Sequence, residues 1–495
     1  MALLQIFPCI FITFITYFIA IPIIQISISP LRKVPGPFFA RFTRLWEWHA
    51  TEKYDFASLN IALHKKYGPI VRLGPNRYSV NDAEATRILL GHTNALDKSR
   101  YYIPFGSPTS PNIFTEPRIS AHKILRRPIT ALYSTTSLLS YECFVDTCNK
   151  ILVNRLREYA LNDKELDMRQ MMQFYAFDVI GEITAGSRFG FMEDDGDKNN
   201  MIAPIDETVK KGALLGLVPE VIYPILYIAG IFKIKPAFQK VIDFAVLQIH
   251  KRTSGHTKSR DDRQDFVDKL LPLELEGRIT RMNTVDACGS NIGAGSDTTA
   301  ISLTATFAYL AMNPKACAKL RDELDKATSN GMLSDPVTFQ EAQRLPYLHA
   351  VIYESLRIHS AVGAPLTRVI GKEGATLVGQ YFPPGTEVGV NPWVAHYNTE
   401  VFGPDAAKFV PERWLTDDAE KLSNMNRNFL AFGAGPRTCL GKNISLLEMF
   451  KVVPQVMRNF DFEIVADKRT AKGYAWKTYW FTKQDCKCRV VERRV

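Results

Sequence analysis

Phe432-Gly-Ala-Gly-Pro-Arg-Thr-Cys-Leu-Gly441 sets a single thiol, Cys439, in a glycine-rich bend with Arg437 close by. Gly433 and Gly435 open backbone angles closed to other residues and Pro436 fixes its own φ, so the segment can curl and aim its amides inward. The following residues, Lys442 to Lys451, have helical composition and place Cys439 just ahead of a helix N-terminus. The helix dipole and the free N–H groups there favour a thiolate, the form that binds a metal. One sulfur with no nearby C-x-x-C or histidine argues against structural zinc, which takes about four protein ligands. Haem needs only one axial ligand from the protein. A buried free cysteine in an ordinary glycine-rich loop would read the same way.

With 495 residues, 46% hydrophobic and 11% aromatic, the chain can bury a substantial core, and disorder is excluded for its bulk. Its 61 basic and 51 acidic residues leave a charge of +10, suited to an anionic membrane surface or an acidic partner. No basic low-complexity run supports nucleic-acid binding. Cys9, Cys143, Cys148, Cys288, Cys317, Cys439, Cys486 and Cys488 form no disulfide framework, as expected of a reducing compartment. Cys486 and Cys488 read as two free thiols on a strand.

From Met1 to Leu31 no residue is charged, and Leu3 to Ile28 is apolar enough to cross the roughly 30 Å hydrocarbon core as a helix. Residues 1–29 are therefore expected to form a transmembrane signal anchor; a cleavable signal would lead with basic residues and carry an apolar core of about 7–15. Arg32 and Lys33 place the remainder on the cytosolic side, with the endoplasmic reticulum the expected membrane. The only Asn-x-Ser/Thr sequon, Asn443-Ile-Ser445, lies directly behind Cys439, where a glycan has no room. Residues 30–40 read as a proline-stiffened linker or a plain turn, and 41–495 as the catalytic domain.

Helical patterns cover Asp55 to Lys66, Tyr141 to Leu161, Met168 to Ala185, Asp243 to Arg252, Thr284 to Met312 and Pro314 to Thr328. Strand signals appear at 70–74 with 77–80, at 375–378 and at 386–390. The apolar run 213–233 is broken by Pro219, Glu220 and Pro224, which disfavours a second span. An interfacial segment, a pocket roof or ordinary core all suit it.

Within the longest helical pattern, Ala294-Gly-Ser-Asp-Thr-Thr299 is rich in poor helix formers, so a local distortion is expected there, or a helix–helix contact through small residues. A threonine hydroxyl beside an acid can pass protons. Glu354 and Arg357, spaced i, i+3, share a helix face and can pair. His122, Arg126, Arg368 and Arg437 are basic groups able to bind carboxylates.

In chain order, Ala294 to Thr299, Glu354-x-x-Arg357, Phe409-Val-Pro-Glu-Arg-Trp414 and the spacing of Phe432, Gly435, Cys439 and Gly441 resemble the cytochrome P450 monooxygenases over essentially the whole chain. The resemblance implies a mainly α fold with a small β domain, preceded by one N-terminal transmembrane helix. Haem b would lie between the Ala294–Thr299 helix and the cysteine loop. It also implies that Cys439 is the axial iron ligand, that Phe432, Gly433 and Arg437 contact the haem, and that His122, Arg126 and Arg368 join Arg437 on its propionates. Asp297 would deliver protons, Thr298 would hydrogen-bond dioxygen, and Gly295 would leave room for that ligand. Glu354, Arg357 and Arg413 would close a supporting ion network.

Electrons would come from NADPH through a flavoprotein reductase, with cytochrome b5 as an auxiliary donor, and Lys123, Arg127 and Lys442 could face the reductase. Gly74 to Val80 and Asn291 to Thr299 look like filamentous-fungal members grouped with pisatin demethylase, which implies oxidation of a lipophilic secondary metabolite by hydroxylation, epoxidation or demethylation. Two departures stand out: many relatives carry Trp at the place of His122, and His-Arg-Asp where this chain has His396-Tyr-Asn398. A reductase-independent isomerase or synthase of the same fold, or a non-enzymatic haem sensor, are the rival readings.

Overall fold

The computed structural model describes residues 28–106, 111–221, 224–225, 238–255, 264–466 and 473–493. The expected anchor lies almost wholly outside these residues, as does most of the apolar run beyond 221. Among the described residues no helix is long and apolar enough to cross a membrane.

Helices of eight residues or more are numbered in chain order. The first seven are α1 (Leu45–Lys53), α2 (Phe56–Tyr67), α3 (Ala83–Leu90), α4 (Ile119–Arg126), α5 (Thr135–Leu161), α6 (Met168–Ala185) and α7 (Ile202–Leu215). The rest are α8 (Gln239–Thr253), α9 (Phe266–Leu275), α10 (Arg281–Met312), α11 (Pro314–Ser329), α12 (Pro346–Ile358), α13 (Ala419–Arg427) and α14 (Lys442–Asn459).

One sheet has the order β1 (Ile70–Gly74), β2 (Arg77–Val80), β7 (Glu387–Val390), β4 (Leu366–Val369), with β2 and β7 parallel and the outer pairs antiparallel. A second joins β3 (Glu165–Asp167), β10 (Thr482–Glu492) and β8 (Phe460–Ile464), and β9 (Tyr474–Thr478) pairs with the start of β10. β5 (Ala375–Leu377) and β6 (Gln380–Phe382) form a separate hairpin.

The helix boundaries follow local chemistry. Asp167 caps α6 by accepting from the Gln170 amide at 3.0 Å, and Gly186 closes it in the left-handed region. Thr280 and Asn283 form a reciprocal capping box at the start of α10. That helix runs through the middle of the main core, which also takes in the buried faces of α5, α6, α12 and α14. On β10, buried and exposed residues alternate, so Cys486 and Cys488 both face inward at 1% exposure. They are free thiols on a strand, as expected.

Candidate functional site

Gly433 and Gly435 adopt φ of 66° and 64°, the left-handed region that the curl requires. A Cβ on Gly435 would lie 1.9 Å from the Leu90 carbonyl oxygen, so the loop is pressed against the end of α3. The Cys439 amide closes the loop by donating to the Phe432 carbonyl at 2.8 Å, and α14 starts three residues later. Cys439 is exposed as a residue, yet enough protein surrounds it to desolvate its thiol. Burial raises the thiol pKa; the Gly441 and Lys442 amides and the Arg126 charge pull the other way without prevailing. The depressed thiol expected from the helix terminus alone is thus not what the free chain has, because desolvation outweighs the dipole. Phe432 and Gly433 line the same loop, each half-buried.

Beside the loop, five basic groups converge. Arg126 donates to the Thr438 carbonyl at 2.8 Å, Arg437 to the carbonyls of Glu116 and Pro117 at 2.7 and 2.6 Å, and Arg368 to its neighbour Thr367 at 3.1 Å. His122 is 3% exposed. The fifth is Lys98, which the sequence did not reveal: it pairs across an isolated β-bridge with Arg368 and donates to the Phe114 carbonyl at 2.6 Å. Its ammonium also lies 4.2 and 4.3 Å from the ring centroids of Tyr102 and Phe114. A lone lysine in Asp97-Lys-Ser99 belongs to no motif, and only the chain's return to Arg368 gives it meaning.

None of the five has a carboxylate salt-bridge partner among the described residues. Burial and then Arg368 and Arg437 push Lys98 well down; burial and then Arg437, Arg126, Lys98 and Arg368 take His122 to about 3. Arg437 falls to about 10, through burial and then Arg368. Among the described residues, Arg437 Nε is buried without a hydrogen-bond partner. Such a cluster calls for an anion, and the two propionates of haem b fit both its charge and its unused donors. No group of three or more His, Cys, Asp or Glu that could hold a metal occurs among the described residues.

The opposite wall comes from α10. Between Asn291 and Leu310 only Gly293, Ala294, Gly295 and Thr298 are not buried. The motif does not break α10, which stays helical throughout, and its hydroxyls bond back one turn, Thr298 to the Ala294 carbonyl and Ser296 to that of Ile292, both at 2.8 Å. Gly295 also has a packing task, since a Cβ there would sit 3.0 Å from the Ile180 side chain of α6. It makes room for a helix neighbour. Asp297 is 2% exposed and turns away from the Thr298 side, accepting from Gln173 Nε2 at 2.5 Å and Lys483 Nζ at 2.7 Å. Thr299 ties α10 to α14 through Ser445 at 3.2 Å.

Glu354, Arg357 and Arg413 do come together. Arg357 makes a bidentate pair with Glu354 at 2.7 and 2.8 Å, and Arg413 Nε reaches both Glu354 oxygens at 3.0 and 3.1 Å. Trp414 Nε1 and the Val410 amide complete the carboxylate's shell at 2.9 Å each. Arg357 also donates to the His396 carbonyl at 2.7 Å, and His396 Nε2 accepts from the Leu430 amide at 2.7 Å, two residues before Phe432. His396 is therefore a second residue the motifs did not single out. Asn398, whose role the departure left open, caps a short helix by accepting from the Glu400 amide at 2.8 Å.

This architecture suits a mainly α protein that holds one flat, doubly anionic cofactor against a single thiol. The chain belongs to the cytochrome P450 family, whose pattern it matches over residues 35–482, and the family implies haem and a monooxygenase enzyme. It is 40% identical to a pisatin demethylase of Fusarium vanettenii over 99% of this chain and 94% of that one. It is 37% identical to a cytochrome P450 monooxygenase of Aspergillus terreus, covering 90% and 94%. A cytochrome P450 monooxygenase of Penicillium aethiopicum is 34% identical, with 92% of each chain covered.

Proposed function

We propose that the chain is a haem-thiolate monooxygenase that oxidises a lipophilic secondary metabolite, with Cys439 as the axial ligand. The observation that carries this reading is the exposed Cys439 at the head of α14, beside a cluster of basic groups with no carboxylate ion-pair contact among the described residues. His122, Arg126, Arg368, Arg437 and Lys98 would hold the propionates, while Phe432 and Gly433 line the thiol's side. Bound haem would supply the iron that reduces dioxygen and inserts one of its atoms into the substrate. Thr298, half-buried on α10, holds a hydroxyl on the open side of the helix, and Asp297 beside it in the chain would relay protons towards it. Ile113, Phe114, Ala294, Val362 and Leu366 leave apolar surface for the substrate. The likeness to pisatin demethylase puts oxidative demethylation first among the reactions to try.

Electrons would come from NADPH through a reductase that docks on the face of Lys123, Arg127 and Lys442, with cytochrome b5 as an auxiliary donor. The domain would sit on the cytosolic side of the endoplasmic reticulum, anchored by residues 1–29. Supporting contact with a membrane, Phe38 and Phe39 are 67% and 66% exposed, Leu45 is exposed as well, and Arg44 donates to the Leu217 carbonyl just beyond α7 at 3.3 Å. The test is spectral: reduced protein under carbon monoxide should show the red-shifted Soret band of thiolate ligation, lost in Cys439→Ala and Cys439→His. Persistence of that band in either variant would overturn the assignment.

A further inference from the structure

Asp297 is the buried end of a longer acid chain. Lys483 Nζ lies 2.7 Å from Asp297 Oδ2 and also contacts Asp206 Oδ1, so one ammonium is shared between a carboxylate of α10 and a carboxylate of α7. Arg169 of α6 reaches Asp206 at 3.2 Å, and Gln173 of α6 occupies the other oxygen of Asp297. Exposure falls inward along this line, from 26% for the Asp206 side chain to 16% for Lys483 and 3% for Asp297.

The two acids divide the work unequally. Burial raises Asp206, and the negative charge of Asp297 adds to it; at Asp297 burial is outweighed by Lys483 and by a hydrogen bond from Asp206. Of the two, the outer acid is therefore the first to take up a proton and the inner one the last. Tyr479, which also feels both charges, is itself pushed up by burial and stays neutral, while Arg169 acts on both acids as a further positive charge.

Asp206 is in place only while α7 is seated. That seat is close: a Cβ on Gly216 would be 2.3 Å from the Tyr101 carbonyl oxygen, and one on Gly212 3.0 Å from the Phe105 ring. Lys483, by contrast, is fixed, because Thr482 next to it is bonded to the Ala361 and Ser360 carbonyls at 2.9 and 3.1 Å.

We propose that Asp206 is the solvent-side entry of the proton path to Asp297 and Thr298, with Lys483 as the positioning residue that keeps the two carboxylates in register, and that the path is complete only when α7 is closed. A proton taken from water by Asp206 passes to a carboxylate oxygen of Asp297 and from there to an acceptor beside the Thr298 hydroxyl; each carboxylate is restored as it hands its proton on. The proposal rests on the monooxygenase reading and adds to it a coupling between closure and proton supply.

The experiment uses the full chain in membranes with an NADPH-dependent reductase and no added organic substrate, and measures the share of NADPH electrons recovered as hydrogen peroxide across a range of pH. Proton starvation diverts electrons to peroxide. Asp206→Asn should raise that share several-fold and flatten its pH dependence, and Asp206→Glu should restore both. Lys483→Met should act like Asp206→Asn, and so should Gly216→Ala, which displaces α7 while leaving every acid in the chain. An unchanged peroxide share in Asp206→Asn, with the thiolate–carbon monoxide band intact, would overturn the proposal alone. A wild-type protein that lacks the band would instead overturn the function on which it rests. Should Lys483→Met lose the band, the Asp206 and Gly216 variants decide.

Discussion

Acidification should weaken the support of the cysteine loop through His396, and the size of the effect can be worked out. The ring is 0% exposed, stacked on Phe429, with Nδ1 2.8 Å from the Arg357 carbonyl and Nε2 accepting the Leu430 amide. That pattern requires the neutral tautomer with its proton on Nδ1, and a second proton would break the bond to Leu430. Burial first and the Arg357 charge second lower the pKa from 6.5 to about 3. A native pKa below the unfolded one means that the unfolded chain binds more protons between those values. The stabilisation is therefore whole above about pH 6.5 and is lost progressively as pH falls towards 3.

One unit below the unfolded value, near pH 5.5, the loss from this residue is about 1.4 kcal/mol, rising towards roughly 4–5 kcal/mol at the lower end. Comparing wild type with His396→Gln by urea unfolding near pH 7.5 and 5.5 isolates this share, because the other titrating groups are common to both. His64 and His359, buried at about 4 and about 3, supply further acid sensitivity to both proteins. The variant should lose about 1.4 kcal/mol less than wild type over that interval. Equal losses, or a wild type that gains stability in acid, would refute the reasoning.

Arg413→Ala should cost about 3–5 kcal/mol, since it leaves Glu354 buried with a weakened counter-charge, and should show as a sharp fall in the yield of haem-loaded protein. Lys98→Met should release haem to an excess of acceptor apoprotein roughly ten- to a hundred-fold faster, as expected for a charge-assisted bond of about 1.5–3 kcal/mol, and Lys98→Arg should recover most of the retention. The same Lys98→Met change should leave the haem-free chain no less stable, because it relieves repulsion with Arg368 and Arg437; a thermal scan without haem checks this. Gly435→Ala combines a φ of 64° with a Cβ 1.9 Å from the Leu90 carbonyl oxygen and should abolish the thiolate–carbon monoxide band.

The parts legible in the sequence are those whose physics is local. Strong periodicity gave Met168–Ala185 to the residue, and the 70–74 and 77–80 hairpin likewise. The Glu354–Arg357 pair follows from helix spacing, and the glycines of the cysteine loop from φ alone. What stayed hidden depends on chain segments that meet late. Lys98 becomes a propionate candidate only because β4 brings Arg368 beside it. His396 becomes a brace only because Leu430 passes its ring, and three-residue β3 has too little pattern to read before β10 arrives to pair with it.

Gly295 and Asp297 illustrate the difference most sharply, since both lie in the same motif and were read from it alike. A helix turns about 100° per residue, so neighbours in a functional hexapeptide cannot all face one cavity. Ala294 and Thr298, four apart, share the open side; Gly295 faces Ile180, and Asp297 faces Gln173 and Lys483. A motif thus records which residues a site needs, while helix geometry decides which of them touch the chemistry and which act from behind. By that argument the acid of this site draws its partners from α6, α7 and β10, three elements that no short motif around Asp297 could have named.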